Sequence, residues 1–143
     1  MAKKTSGIYY GQRNKQRGQS DLETLIKLRN HIFKKWKIRW IKREWYLCFE
    51  DEHLIKWTEN PTKEDVKQYK IRNPDLLLWS KKFGLLVIEV DGAVHDRKVS
   101  KTLERNDQYR KANIKFIVAN LADLKFQKQN INDYIDEQIS IFI

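Results

Sequence analysis

The stretch Asn73-Pro74-Asp75-Leu76-Leu77-Leu78-Trp79-Ser80-Lys81-Lys82-Phe83-Gly84-Leu85-Leu86-Val87-Ile88-Glu89-Val90-Asp91 decides the fold. Two apolar runs, Leu76 to Trp79 and Leu85 to Val90, flank a polar break at residues 80 to 84, the pattern of a β-hairpin with a five-residue loop. With that loop centred on residue 82, antiparallel pairing sets residues whose numbers sum to 164 opposite each other, and Asp75 and Glu89 are such a pair. Directly opposed side chains have Cβ atoms about 4.5 to 5.5 Å apart, where like charges repel. Something must offset that repulsion. A divalent cation would: Mg²⁺ takes hard oxygen ligands, typically one or two carboxylates with waters and phosphate oxygens, and Mn²⁺ would substitute. Asp91 lies two residues beyond Glu89, on the same pleat face, with Val90 turned to the other side.

Gly92 follows at once and permits a tight turn, after which His95 and Asp96 would fold back toward the strand end. His95 is the natural proton handler, because an imidazole titrates near neutral pH. Metal-assisted hydrolysis is the chemistry such a group could perform. Taken singly, each residue has a bland reading: Asp75 as a turn carboxylate, Glu89 and Asp91 as solvated strand-end acids, His95 as a loop residue.

Working outward, residues 101 to 112 have helix-favouring composition, and Asn113 suits the left-handed residue that ends a helix. Ile114 to Val118 predicts a strand, and Ile131, Tyr134, Ile135 and Ile139 recur at helical spacing. Upstream, Ser20 and Glu23 form a capping box before Leu22, Leu25, Ile26, Arg29, Ile32, Phe33 and Trp36, which predicts a helix over about 21 to 35. Residues 38 to 49 are aromatic and β-branched and predict one or two strands. Glu50 to Tyr69 is charged, holds Asn60-Pro61, and reads as a connection with a short helix after Thr62. Helices interleaved with strands of mixed direction predict an α/β fold, a central mixed β-sheet flanked by helices. The expected organisation is a flexible basic arm over 1–18 and a single domain over 19–143.

The chain has 143 residues and a net charge of +10, and the excess is uneven. Residues 1 to 45 hold thirteen basic side chains against three acidic ones, and the remainder is balanced. That basic third also carries Tyr9, Tyr10, Trp36, Trp40 and Trp45, a combination that neutralises phosphates and stacks on bases. DNA is the expected partner, with Arg13, Lys15, Arg17, Lys34, Lys35, Lys98, Lys101 and Arg105 as phosphate contacts. A solubilising basic surface is the plain alternative. No apolar run approaches the roughly 18 to 20 residues of a membrane span, so no membrane partner is expected. One cysteine, Cys48, and no secretory leader predict a reducing, cytoplasmic setting. A homodimer would favour paired cuts, although no heptad pattern is visible.

Pro74-Asp75 followed fourteen residues on by Glu89-Val90-Asp91 resembles the core of the PD-(D/E)xK nucleases. The longer string Val87-Ile88-Glu89-Val90-Asp91-Gly92-Ala93-Val94-His95-Asp96 resembles the EDxHD and very-short-patch-repair-like endonucleases of that superfamily. The resemblance implies a restriction-endonuclease-like core and Mg²⁺-dependent DNA cleavage. It makes Asp75 and Glu89 metal ligands, the Val90 carbonyl a third, and His95 the catalytic histidine. It also matches Glu23 to a helix glutamate that approaches the site, a role that stands beside simple capping, and Arg105 to an arginine on the following helix. The usual lysine position is Asp91 here, which leaves Lys98 or Lys101 as substitutes. A non-catalytic nucleic-acid-binding protein and an RNA-directed nuclease are the rival readings.

Overall fold

The computed structural model describes residues 19–92 and 99–143. Along the chain run α1 (Gln19–Trp36), β1 (Trp40–Lys42), β2 (Tyr46–Glu50), β3 (His53–Thr58), α2 (Lys63–Gln68), β4 (Lys70–Arg72), β5 (Leu76–Ser80), β6 (Gly84–Asp91), α3 (Val99–Lys111), β7 (Lys115–Asn120), α4 (Leu121–Phe126) and α5 (Ile131–Phe142). The fold is α/β, and its central sheet is mixed. Four strands are ordered β1-β5-β6-β7, with β6 and β7 parallel and the other pairs antiparallel. The parallel pair needs a crossover, and α3 supplies it.

The hairpin register is the expected one. Leu76 pairs Ile88, Leu78 pairs Leu86 and Ser80 pairs Gly84. Gly84 takes φ +75°, a left-handed conformation that a residue without Cβ adopts without strain. Alternate residues of β5 and β6 feed two cores. Leu76, Leu78, Leu86 and Ile88 pack with Leu25, Leu28 and Ile32 of α1 and with Ile135 and Ile139 of α5. Leu77 and Val87 point the other way, onto Leu47 and Phe49 of β2 and Tyr109 of α3. Burial on both faces is why these strands read as unbroken apolar runs.

The structure departs from the sequence reading in three places. Residues 50 to 69 are more than a connection: they contain β3, which with β2 and β4 makes a separate three-stranded sheet ordered β3-β2-β4. The β2–β3 turn carries Asp51 at φ 53°, a conformation an aspartate tolerates, so neither Gly nor Asn marks it. The short helix after Thr62 does form, with a capping box between Thr62 and Asp65. On α1 the buried stripe is Leu25, Leu28 and Ile32, while Ile26 and Phe33 of the expected stripe are exposed. The six-residue α4, capped by Asn120, adds a helix where none was expected.

Helices α1 and α5 are joined by polar bonds as well as apolar packing. Asp136 of α5 accepts hydrogen bonds from Trp36 Nε1 at 2.8 Å and Lys35 Nζ at 2.9 Å, and both its oxygens lie 2.9 Å from His31 Nε2. Burial alone would raise the Asp136 pKa, but these three donors together hold it below the ordinary carboxylate range. Among the described residues no helix is long and apolar enough to cross a membrane.

Candidate active site

Because Leu76 pairs Ile88, the next outward position of the ladder brings Asp75 beside Glu89. The Asp75 backbone N–H donates to Glu89 Oε1 at 3.2 Å, and the Val90 N–H donates to Asp75 Oδ2 at 2.7 Å. The two acids therefore brace each other through the backbone of the opposite strand. Both are buried, and Asp91 joins them at 8% exposure. The expectation that three carboxylates share one sheet end holds for all three.

Their side chains line a polar cavity of about 230 Å³. Strand β6 and the residues before β5 form one wall, Arg72 of β4 a second, and Arg105 and Tyr109 of α3 a third. Arg105 and Tyr109 stand one helical turn apart, so a single face of α3 presents both. Arg105 grips Asp91 with two bonds, NH1 to Oδ1 and NH2 to Oδ2, each 3.1 Å, and its Nε lies 3.8 Å from Glu89 Oε2. The Tyr109 hydroxyl donates to Glu89 Oε2 at 2.6 Å.

The electrostatics follow from this crowding. Burial and the neighbouring Asp75 charge push the Glu89 carboxyl up to about 7, against the opposing pull of Arg105, the Tyr109 hydroxyl and the Asp75 N–H. Burial and the Glu89 charge also raise the Tyr109 phenol well above its usual range, so it stays a donor. Near neutrality Glu89 is thus poised to exchange a proton for another positive charge.

Asp75 and Glu89 suit a hard divalent cation on donor chemistry: both are buried carboxylates, paired at one strand end, and destabilised by each other's charge. Among the described residues no cluster of three or more His, Cys, Asp or Glu converges as a metal-binding group. Asp91 is turned to Arg105, so a cation here would draw on two carboxylates, with water completing its shell, as Mg²⁺ commonly does.

The remaining expected residues fall in different places. Val90 lines the cavity. Glu23 is exposed on α1 and is not among the residues lining that cavity. Lys34, Lys35 and Lys101 are exposed, and Lys35 is engaged by Asp136. Arg105, expected at phosphate, is instead committed to Asp91 and to Asn106. Arg13, Lys15, Arg17, His95 and Lys98 lie outside the described residues.

Three cavity residues escaped the sequence reading: the apolar Ile71 and two polar ones, Tyr109 and Arg72. Tyr109 could have been found by its spacing, four residues after Arg105 on a helix already placed next to the site. Arg72, three residues before Asp75, sat in a stretch with no periodic signal. No protein-family model, no curated protein and no solved structure matches this chain.

Proposed function

We propose that this chain is a Mg²⁺-dependent endonuclease with a restriction-endonuclease-like core of the PD-(D/E)xK kind, hydrolysing phosphodiester bonds in DNA. The observation that carries the reading is the convergence of Asp75 and Glu89, from opposite strands of one hairpin, in a polar cavity. Bound there, Mg²⁺ would polarise a phosphoryl oxygen and lower the pKa of an attacking water. Asp75 and Glu89 would hold that charge. Tyr109 fixes the orientation of Glu89, and Arg105 fixes that of Asp91. His95, four residues past Asp91, is the group assigned to move a proton between water and the leaving oxygen. The basic first third supplies phosphate contacts that hold the duplex.

The test is nicking of a supercoiled plasmid in Mg²⁺ or Mn²⁺. Wild type cuts, EDTA stops it, and Asp75→Asn reduces cutting to background. Wild type that leaves both plasmid DNA and single-stranded RNA intact in either metal ends the nuclease reading. One observation favours a second reading, a non-catalytic nucleic-acid-binding protein. The Asp91–Arg105 pair and a proton on Glu89 bring the cavity close to neutrality without any cation. That reading predicts salt-sensitive DNA binding that Asp75→Asn leaves unchanged, with no cutting.

A further inference from the structure

We propose that a second cavity, between the C-terminal end of α1 and the β5–β6 turn, binds a nucleotide, with the base on Trp36, Ile38 and Phe83 and the phosphates on Lys37, Lys81 and Lys82. The inference is independent of the nuclease reading. This cavity measures about 410 Å³, within the range of about 300 to 1,000 Å³ common for small-molecule sites, and it shares no lining residue with the acid cavity. The hairpin explains the separation. Asp75 and Glu89 stand at the open end of β5 and β6, whereas the Ser80–Gly84 pair closes the other end, five residues or about 17 Å of extended strand away. The two sites also lie on opposite faces of the central sheet: Ile38 and Phe83 belong to the core under α1 and α5, and Tyr109 belongs to the core shared with β2 and α3.

The lining is of two kinds. Ile38 and Phe83, each 5% exposed, form an apolar floor. The Trp36 indole stands beside them with its plane already set, because its Nε1 donates to Asp136 at 2.8 Å. Flat apolar surface of this kind takes the face of a base, which gains by stacking on aromatic rings. The three lysines supply the opposite chemistry. No Asp or Glu lines the cavity, and among the described residues Lys37, Lys81 and Lys82 form no ion pair, whereas Lys35, Lys56, Lys70 and Lys111 are all engaged by carboxylates. Lys81 and Lys82 occupy the turn itself, which the Ser80 hydroxyl steadies by accepting from the Lys82 N–H at 3.1 Å. Ammonium groups act as point charges that need no planar, bidentate partner, so they suit phosphate oxygens. Three of them exceed what one carboxylate neutralises and match a terminal phosphate or polyphosphate carrying two or more negative charges. Apolar ring surface beside that much positive charge fits a nucleoside phosphate better than a bare oxyanion or an uncharged nucleoside.

The experiment is an NMR titration of isotope-labelled protein with ATP, adenosine and tripolyphosphate, run in EDTA so that no divalent cation links a ligand to the acid cavity. ATP is expected to bind about tenfold or more tightly than either fragment. It should shift the Trp36 indole N–H and the amides of residues 80 to 83, leaving those of Asp91 and Arg105 unmoved. Lys81→Ala/Lys82→Ala, at two exposed turn positions, should keep the fold and lose about tenfold of ATP affinity. Lys37→Gly gives a separate check. Lys37 sits at φ 58°, which a glycine adopts without strain, so this variant should melt no lower than wild type while it binds ATP more weakly. Equal affinity for ATP and tripolyphosphate would leave only a polyanion surface and overturn the nucleotide assignment. Shifts centred away from Trp36 and the turn, or unchanged ATP affinity in Lys81→Ala/Lys82→Ala, would overturn it as well.

Discussion

Tyr109 of α3 and Glu89 of β6 share a 2.6 Å hydrogen bond, with the tyrosine fully buried beside Phe49 and Phe116. The ring belongs to the core between the two sheets, and among the described residues its hydroxyl is the polar group that this core sends into the cavity. Tyr109→Phe keeps the ring and deletes the donor. A carboxylate oxygen loses its partner, which costs about 1 to 3 kcal/mol of stability at neutral pH. Urea unfolding of the variant should show that loss with an unchanged m-value. Because the bond also helps to keep Glu89 ionised, the variant should bind Mn²⁺ more weakly at pH 7 than wild type does.

The pH dependence of stability has a defined sign at Glu89. Its folded pKa, about 7, exceeds the unfolded value of 4.5, so between those limits the folded protein holds a proton that the unfolded chain has released. Glu89 therefore stabilises fully below pH 4.5, and its contribution is lost as pH rises toward 7, on the order of 3 kcal/mol in total. Asp136 acts in the opposite sense and in a lower range: its depressed pKa contributes above the unfolded 3.8 and is lost as pH falls below it. Urea melts at pH 5, 6, 7 and 8 should show wild type weakening with pH. Glu89→Gln, which cannot ionise, should lose most of that slope, and Mg²⁺ should restore wild-type stability most strongly at the alkaline end.

Much of the site was legible because hairpin pairing is arithmetic. A loop centred on residue 82, three residues long rather than the five expected because Ser80 and Gly84 themselves pair, fixes the register, and register alone brings Asp75 to Glu89. Chain order could not show what closes the other walls. Arg72 comes from a three-residue strand paired to β2, and nothing in Lys70-Ile71-Arg72 announces an edge strand that short. The fate of Asp91 was equally hidden. Its face was predicted, but whether it turns toward a cation or toward Arg105 depends on the docking of α3, a tertiary fact. On α1 the error was one of phase: Ile26 and Phe33 are at helical spacing too, and only packing against β5 and β6 selects Leu25, Leu28 and Ile32.

The α1–α5 joint offers a test remote from the cavity. Asp136 is 9% exposed and accepts from Trp36, Lys35 and His31, so Asp136→Ala strands the partly buried indole N–H and removes the negative charge that Lys35 faces. A loss of about 2 to 3 kcal/mol is expected, with Asp136→Asn losing less because its amide oxygen still accepts from Trp36. Thermal denaturation checks the order. Mn²⁺ affinity of the folded protein should not change in either variant, since Asp136 is not among the residues lining the acid cavity.

Arg105 separates charge balance from ligand binding. Arg105→Gln leaves Asp91 buried without its two charged bonds and removes the cation that holds down the Glu89 pKa. Breaking one partner out of a buried ion pair costs about 3 to 5 kcal/mol, and Arg105→Lys should recover only part, because an ammonium cannot make the paired contact. A divalent cation compensates for the missing positive charge. The stabilisation of Arg105→Gln by saturating Mg²⁺ should therefore exceed that of wild type when both are measured by thermal melts at pH 7.5. Equal metal-induced shifts in the two proteins would mean that the cation does not sit within reach of Glu89 and Asp91.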